Sequence, residues 1–416
     1  MSLRAAKPWI VCLTAALFFF YEFVQMSMFN AISTHLLAEL QLSATALGHL
    51  SAAYFYANIL FMIPAGLLLD RFSTKKTILV AMAICVAGTL WFSFSHSLYS
   101  AMACRFLTGI GGSFPFLACL RLAIRWFPPK RMAIISGLMV TMAMLGGVVA
   151  QTPLTLATEI IGWRYAVFFD GLFGLLLMGC IALVVQDSPC AATKSFRQAT
   201  TPLTVTLSSI FKNKQNWLYG AFICLLNLPI FLLAQTWGSL YFTQAHHLSP
   251  TQASYLTSMV FFGTIIGSPL LGWISDYSGR RKPLMYFGCT LSLLFILIVM
   301  VSNTLSFTTL LALLFGLGFT CSAQIIGYPA ISESNETNTA AGGLGLASVL
   351  IMSGGAFFEP LFGRLMEWHW DHTVIATIPV YSANDYIMGL SILPAAFLMA
   401  LCASLLARET YCRRER

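Results

Sequence analysis

Gly66-Leu67-Leu68-Leu69-Asp70-Arg71, followed by Lys75-Lys76, closes one long apolar run of this 416-residue chain. A near copy, Gly272-Trp273-Ile274-Ser275-Asp276 followed by Arg280-Arg281-Lys282, closes another. Both copies read alike: an apolar stretch, a glycine, an aspartate, then a knot of bases. About 20 apolar residues suffice for a helix to cross a ~30 Å hydrocarbon layer, and bases collect on the side that is not translocated. The repeat therefore marks the end of the second span in each of two related halves, as expected of parallel repeats around a central site.

Composition extends this reading to the whole chain. Of its residues 58% are hydrophobic and 9% charged, against ~25% charged in a soluble globular protein, so a water-facing surface could not be covered. Apolar runs punctuated by Gly, Pro and charge place spans near 9–31, 46–69, 77–95, 98–124, 131–153, 165–186, 216–243, 251–274, 283–302, 307–330, 340–363 and 386–407. The expected class is all-α integral membrane, with twelve transmembrane helices in two six-helix halves. Residues 1–186 form one half and 216–416 the other with its short basic tail, joined by a polar cytoplasmic linker at 187–215. The first run follows Arg4 and Lys7 like a signal peptide, but it carries Glu22 and Gln25 and has no small-residue cleavage site. It is read as a retained helix.

Counting bases by alternate loops tests the arrangement. Arg4, Lys7, Arg71, Lys75, Lys76, Arg125, Lys130, Arg131, the linker bases Lys194, Arg197, Lys212 and Lys214, Arg280, Arg281, Lys282 and the tail arginines fall on one side, while Arg164 and Arg364 fall on the other. Both termini are expected in the cytoplasm. The net charge of +8 then reflects topology, not nucleic-acid binding. The eleven Cys are scattered singly with no CxxC, and the loop pairs His246-His247 and His369-x-Asp371-His372 give no complete ligand set, so no metal site and no cofactor are expected.

The quoted loop resembles the motif G-x-L-x-D-R-x-x-x-x-K/R of the major facilitator superfamily, and its second copy resembles the degenerate partner motif. Arg105-Phe-Leu-Thr-Gly109-Ile-Gly111 is similar to the R-x-x-x-G-x-G signature of that family, and Gly162-Trp163-Arg164 is also typical. Phe20-Tyr21-Glu22-Phe23, Tyr54-Phe55-Tyr56-Ala57-Asn58, Arg121 to Pro129 and Met142 to Pro153 resemble the phagosomal-transporter branch of intracellular bacteria. That resemblance implies a bacterial inner membrane and import of an amino acid or nucleoside. A related branch handles citrate-based siderophores. The Gly-Pro signature of drug antiporters is absent from span five, where Gly146-Gly147 is followed by a proline only at Pro153.

The resemblance assigns Arg105 to coupling protonation to conformation, and Gly66, Asp70, Arg71, Arg121 and Asp276 to a breakable latch at the cytoplasmic gate. Gly66 would let two helices approach closely, while Asp70 would cap a neighbouring helix and pair with a base. Arg121, near the cytoplasmic end of span four, serves either that gate or a structural ion pair.

Ionisable groups at membrane depth cost ~2.5–3.5 kcal/mol and mark functional positions. Glu22 lies ~20 Å along span one, beyond the midplane, sharing a face with Gln25, Met26 and Phe29. Asp170 and Glu359 are further proton-carrying candidates, each close enough to the periplasmic end to reach interfacial water. Gln25, Tyr54, Asn58, Gln151, Asn227, Gln235, Trp237, Gln324 and Tyr328 are candidate substrate-binding residues for a zwitterionic or neutral solute. Interhelical bonding is the alternative for any one of them.

The expected function is proton-coupled import by alternating access of a small polar metabolite, an amino acid first and a nucleoside next. A siderophore or organic acid is the alternative on the same fold, although a citrate-type anion would want several cavity cations. GxxxxGK[ST] is absent, which argues against direct use of ATP. An integral-membrane enzyme would want clustered acids or a His–Asp pair at a membrane face, and a sensor would want an output domain. The expected partners are the substrate, protons and the lipid bilayer, with the protein acting as a monomer.

Overall fold

The computed structural model describes residues 3–128, 131–188, 203–301, 305–336, 339–375 and 378–412. Residues 189–202 of the expected linker, Lys130 and the bases Arg413, Arg414 and Arg416 lie outside the described residues. Among those described, 12 helical spans are long and apolar enough to cross a membrane. They are Ala6–Glu39, Ala44–Arg71, Thr74–Ser93, Leu98–Trp126, Ile134–Ile161 and Trp163–Val184 in the first half. Lys214–Gln244, Pro250–Ser278, Lys282–Val301, Phe307–Glu333, Gly342–Glu367 and Ala383–Leu406 form the second. A two-residue-per-strand hairpin, Val374–Ile375 with Ile378–Pro379, is the one departure from all-α architecture among the described residues.

Local sequence explains most helix starts. Ser43, Ser73, Ser97, Ser249 and Ser306 each accept a backbone N–H of the first turn that follows, satisfying donors that a helix N-terminus leaves unpaired. The halves also repeat each other in packing. A Cβ on Gly109 would lie 2.2 Å from the Tyr54 carbonyl oxygen, and one on Gly318 would lie 2.1 Å from that of Val260. In both halves the fourth span thus touches the backbone of the second, which only glycine permits. Each half also caps its third span with a carboxylate from just beyond its sixth. Asp187 accepts from Ser73 Oγ at 2.5 Å and Lys75 N at 2.8 Å, while Glu409 accepts from Arg281 N at 2.8 Å and Lys282 N at 2.9 Å.

The halves meet at the end opposite the basic loops. Thr45 N and Oγ1 donate to Glu367 at 2.9 and 2.6 Å, Ala44 N donates to Tyr381 Oη at 2.9 Å, and Thr251 Oγ1 donates to Glu159 at 3.0 Å. A Cβ on Gly48 would lie 2.5 Å from the Glu359 carbonyl oxygen, so spans two and eleven also touch there. At the basic end the ion pairs among the described residues stay within their own half: Asp70 with Arg121, and Arg281 with Asp276 and Glu333. The polar bonds between the halves thus gather towards the other end.

This arrangement corrects three expectations. Gly66, expected to admit a neighbouring helix, has nothing within 4 Å of where its Cβ would be, and neither does Gly272. Asp70 pairs with a base as expected, Arg121 Nη1 at 2.6 Å, but caps no helix among the described residues. The first span runs to Glu39, not residue 31, so Glu22 lies about midway along it instead of beyond the midplane.

Candidate functional site

The first span is kinked between Leu3–Ser27 and Phe29–Glu39, and a side chain from span four enters the interrupted ladder. Arg105 Nη1 donates to the Gln25 carbonyl at 2.7 Å. Its guanidinium stacks over Phe29 at 4.5 Å and Tyr54 at 5.1 Å. Tyr54 in turn donates to Glu22 Oε1 at 2.7 Å. Arg105 is 0% exposed, yet its Nε and Nη2 find no partner among the described residues. Glu22 Oε2, Asn58 Oδ1 and both amide atoms of Gln235 are likewise buried and unpartnered. Asn58 is one helical turn beyond Tyr54 on the same face, and Phe231, about a turn before Gln235, meets Phe55 at 4.9 Å. A buried polar group left unpaired costs ~1–3 kcal/mol, which sets these residues apart from the paired ones around them.

Other candidates are committed elsewhere. Gln25, expected on the Glu22 face, turns its side chain into the first half, donating to Asp170 and accepting from Thr89 at 2.7 Å. Gln151 is a junction residue: it accepts from Asn30 and from Thr257 at 2.7 Å, and donates to the Ala234 carbonyl at 2.7 Å. Asn30 also donates to Thr257 at 2.9 Å and accepts from Ser239 N at 2.7 Å, tying the halves together. Asn227 and Gln324 bond each other at 2.8 Å inside the second half, near half-buried Tyr328.

Glu359 departs most from expectation, because it does not reach interfacial water. It is 0% exposed and accepts from Thr236 Oγ1 and Trp237 Nε1, both at 2.8 Å. These donors belong to a π-helical turn, Ile230–Trp237, that follows Pro229. Such turns are rare and gather at functional positions. Trp237 also stacks on Phe362 at 4.9 Å. Sequence reasoning missed Asn30, Ser51, Thr236 and Thr257, although Asn30 and Thr236 stood inside apolar runs where an amide or hydroxyl needs a partner.

At the basic end, Asp70 is well exposed and its bond to Arg121 is worth at most ~1 kcal/mol. Arg71 is exposed. Arg281 is 4% exposed and donates to Ser275, Asp276 and Glu333. Burial pulls its pKa down, but the bonds to Glu333 and Asp276 outweigh this and hold it above the usual arginine value.

The Major Facilitator Superfamily family model matches residues 14–246 and again 230–407. The chain belongs to this superfamily. Its fold accounts for the two parallel halves with a polar cluster at their junction. The chain is 25% identical over 284 residues to the D-galactonate transporter of Escherichia coli O6:H1, covering 62% of this chain and 65% of that protein. It is 24% identical over 278 residues to the lysosomal dipeptide transporter of Danio rerio, covering 60% of this chain and 58% of that one. The matches thus span less than two thirds of these curated relatives. A bacterial homologue of the human lysosomal transporter Spinster, solved inward-facing and unoccupied, superposes with a TM-score of 0.76 at 15% identity, covering 98% of this chain and 96% of that one.

Proposed function

We propose that this superfamily member is a proton-coupled secondary transporter that imports a small carboxylate-bearing polar metabolite by alternating access. An amino acid comes first and a sugar acid second. The observation that carries the reading is Arg105, a membrane-buried guanidinium with two unused N–H groups between aromatic rings. A planar pair of donors in a dry site matches a carboxylate. Glu22 Oε2, one tyrosine away, would accept from a substrate ammonium, and Asn58 and Gln235 offer donors and acceptors to the remaining polar groups. A tricarboxylate would bring more negative charge than one arginine offsets, which counts against the siderophore alternative. A nucleoside has no carboxylate for Arg105.

In this reading the basic end faces the cytoplasm of a bacterium, both termini lie there, and the structure is the inward-open state of a monomer with residues 187–215 as the linker. The phagosomal-transporter resemblance supports import. The relatives that transport D-galactonate and dipeptides, both carboxylates, support the substrate class. The test has two parts. A thermal-shift screen of purified protein against amino acids, sugar acids, nucleosides and ferric siderophores should single out carboxylates. Uptake of the stabilising compound into proteoliposomes should rise with an inward proton gradient and collapse with an uncoupler; uptake indifferent to the gradient would overturn the coupling.

A further inference from the structure

Glu359 lies where three helices from both halves converge. Its backbone carbonyl presses on Gly48 of span two, its side chain binds Thr236 and Trp237 of span seven, and Thr236 Oγ1 lies 3.1 Å from Ser51 Oγ of span two. The hydroxyl chain Ser51, Thr236, Glu359 therefore runs across the junction that keeps this end closed. The Trp237 N–H can only donate, so Glu359 Oε2 must remain an acceptor in any state. Oε1 is different, because Thr236 can give or take a hydrogen. With Glu359 ionised, Thr236 donates to Oε1 and must accept from Ser51. A proton added to Oε1 would be donated to Thr236 Oγ1, whose own hydrogen would turn to Ser51.

Charge gives this reversal a consequence. On the opposite half the buried cation is the Arg105 guanidinium, 0% exposed and stacked over Tyr54 of span two. Nearby acids and bases are otherwise engaged or exposed: Glu367 holds Thr45, Asp385 caps Ser382, Tyr54 binds Glu22, and His49 and Arg364 are exposed. An ionised Glu359 and the Arg105 guanidinium, both 0% exposed and on opposite halves, attract each other, and a neutral Glu359 does not share that attraction.

We propose that Glu359 is a proton-operated latch: it holds the halves together at this end when ionised and releases them when it takes a proton from the side that opens. This rests on the reading of the chain as a proton-coupled transporter, but places a coupling proton apart from the substrate site at Arg105 and Glu22. The test needs no substrate, so it stands or falls separately from the carboxylate reading. Spin labels at Gln41 and His369, exposed positions at the closed end of opposite halves, report the opening in a background with native cysteines replaced. Lowering the pH from about 8 to about 5 should raise the open-to-closed ratio about tenfold or more, the effect of losing one charge-assisted interaction. Glu359→Gln should show the acid-like distribution at every pH. Thr236→Val, which keeps the acid but cuts the hydroxyl chain, should open this end at neutral pH and still respond to acid. A pH-independent wild type, a Glu359→Gln protein that titrates like wild type, or a Thr236→Val protein with wild-type distances would each overturn the proposal.

Discussion

Replacing Asn30 by alanine should loosen the closed end without touching the substrate cluster. Its side chain makes two bonds directly between the halves, to Thr257 Oγ1 at 2.9 Å and from Ser239 N at 2.7 Å, besides its bond to Gln151. A neutral hydrogen bond contributes about 1 kcal/mol net in proteins, whereas double-mutant cycles in a membrane protein average ~0.6 kcal/mol. Two lost bonds therefore shift the closed state by about 1.2–2 kcal/mol, roughly a seven- to thirtyfold change in the open-to-closed ratio. Ser33, one turn beyond Asn30, is 1% exposed. A cysteine placed there, in a background without native cysteines, should react with a membrane-impermeant maleimide from the far side about seven to thirty times faster in Asn30→Ala. A rate within twofold of the Asn30 parent would refute the assignment of this network to the closed gate.

Other outcomes follow from the same structure. Gly318→Ala should cost at least about 1–3 kcal/mol of thermal stability, since its Cβ would meet the Val260 carbonyl at 2.1 Å, whereas the Cβ of Gly272→Ala meets nothing within 4 Å and should cost none in the same melt. Arg281→Met should cost about 3–5 kcal/mol in unfolding experiments, because it leaves Glu333 without its buried partner. Burial, and then His247, hold the His246 imidazole below its ordinary value of 6.5. The unfolded chain then binds that proton first, so stability falls as pH drops through about 6.5, and His246→Gln should flatten the slope of melting temperature against pH in that window.

The spans were legible because length, apolarity and the placement of bases are local properties. Twelve segments near the expected positions resulted, and the Gly66 and Gly272 loops do close the second span of each half. What failed was everything that depends on a distant partner. The expected first span ends at residue 31, yet the helix continues to Glu39 and Ser33 beyond that limit is buried. Glu22 was consequently set too near the surface. Glu359 looked able to reach water because its donors, Thr236 and Trp237, lie more than a hundred residues earlier in the chain. Gly66 carries a helix-packing signal, yet nothing lies within 4 Å of where its Cβ would be, whereas Gly109 is pressed on the Tyr54 carbonyl. The proposed substrate cluster was half visible: Tyr54, Asn58 and Gln235 were chosen for their polarity, but the free donors of Arg105 emerge only once its surroundings are known.

The central claim is that Arg105 receives a substrate carboxylate, and the most direct measurement compares binding of the stabilising acid with that of its primary amide by calorimetry. Wild type should prefer the acid by at least about thirtyfold, corresponding to ~2 kcal/mol for a buried charge pair. Arg105→Lys, which keeps the charge but loses the planar pair of donors, should erase most of that preference. An amide that binds wild type as tightly as the acid, or an Arg105→Lys protein with undiminished preference, would contradict the account.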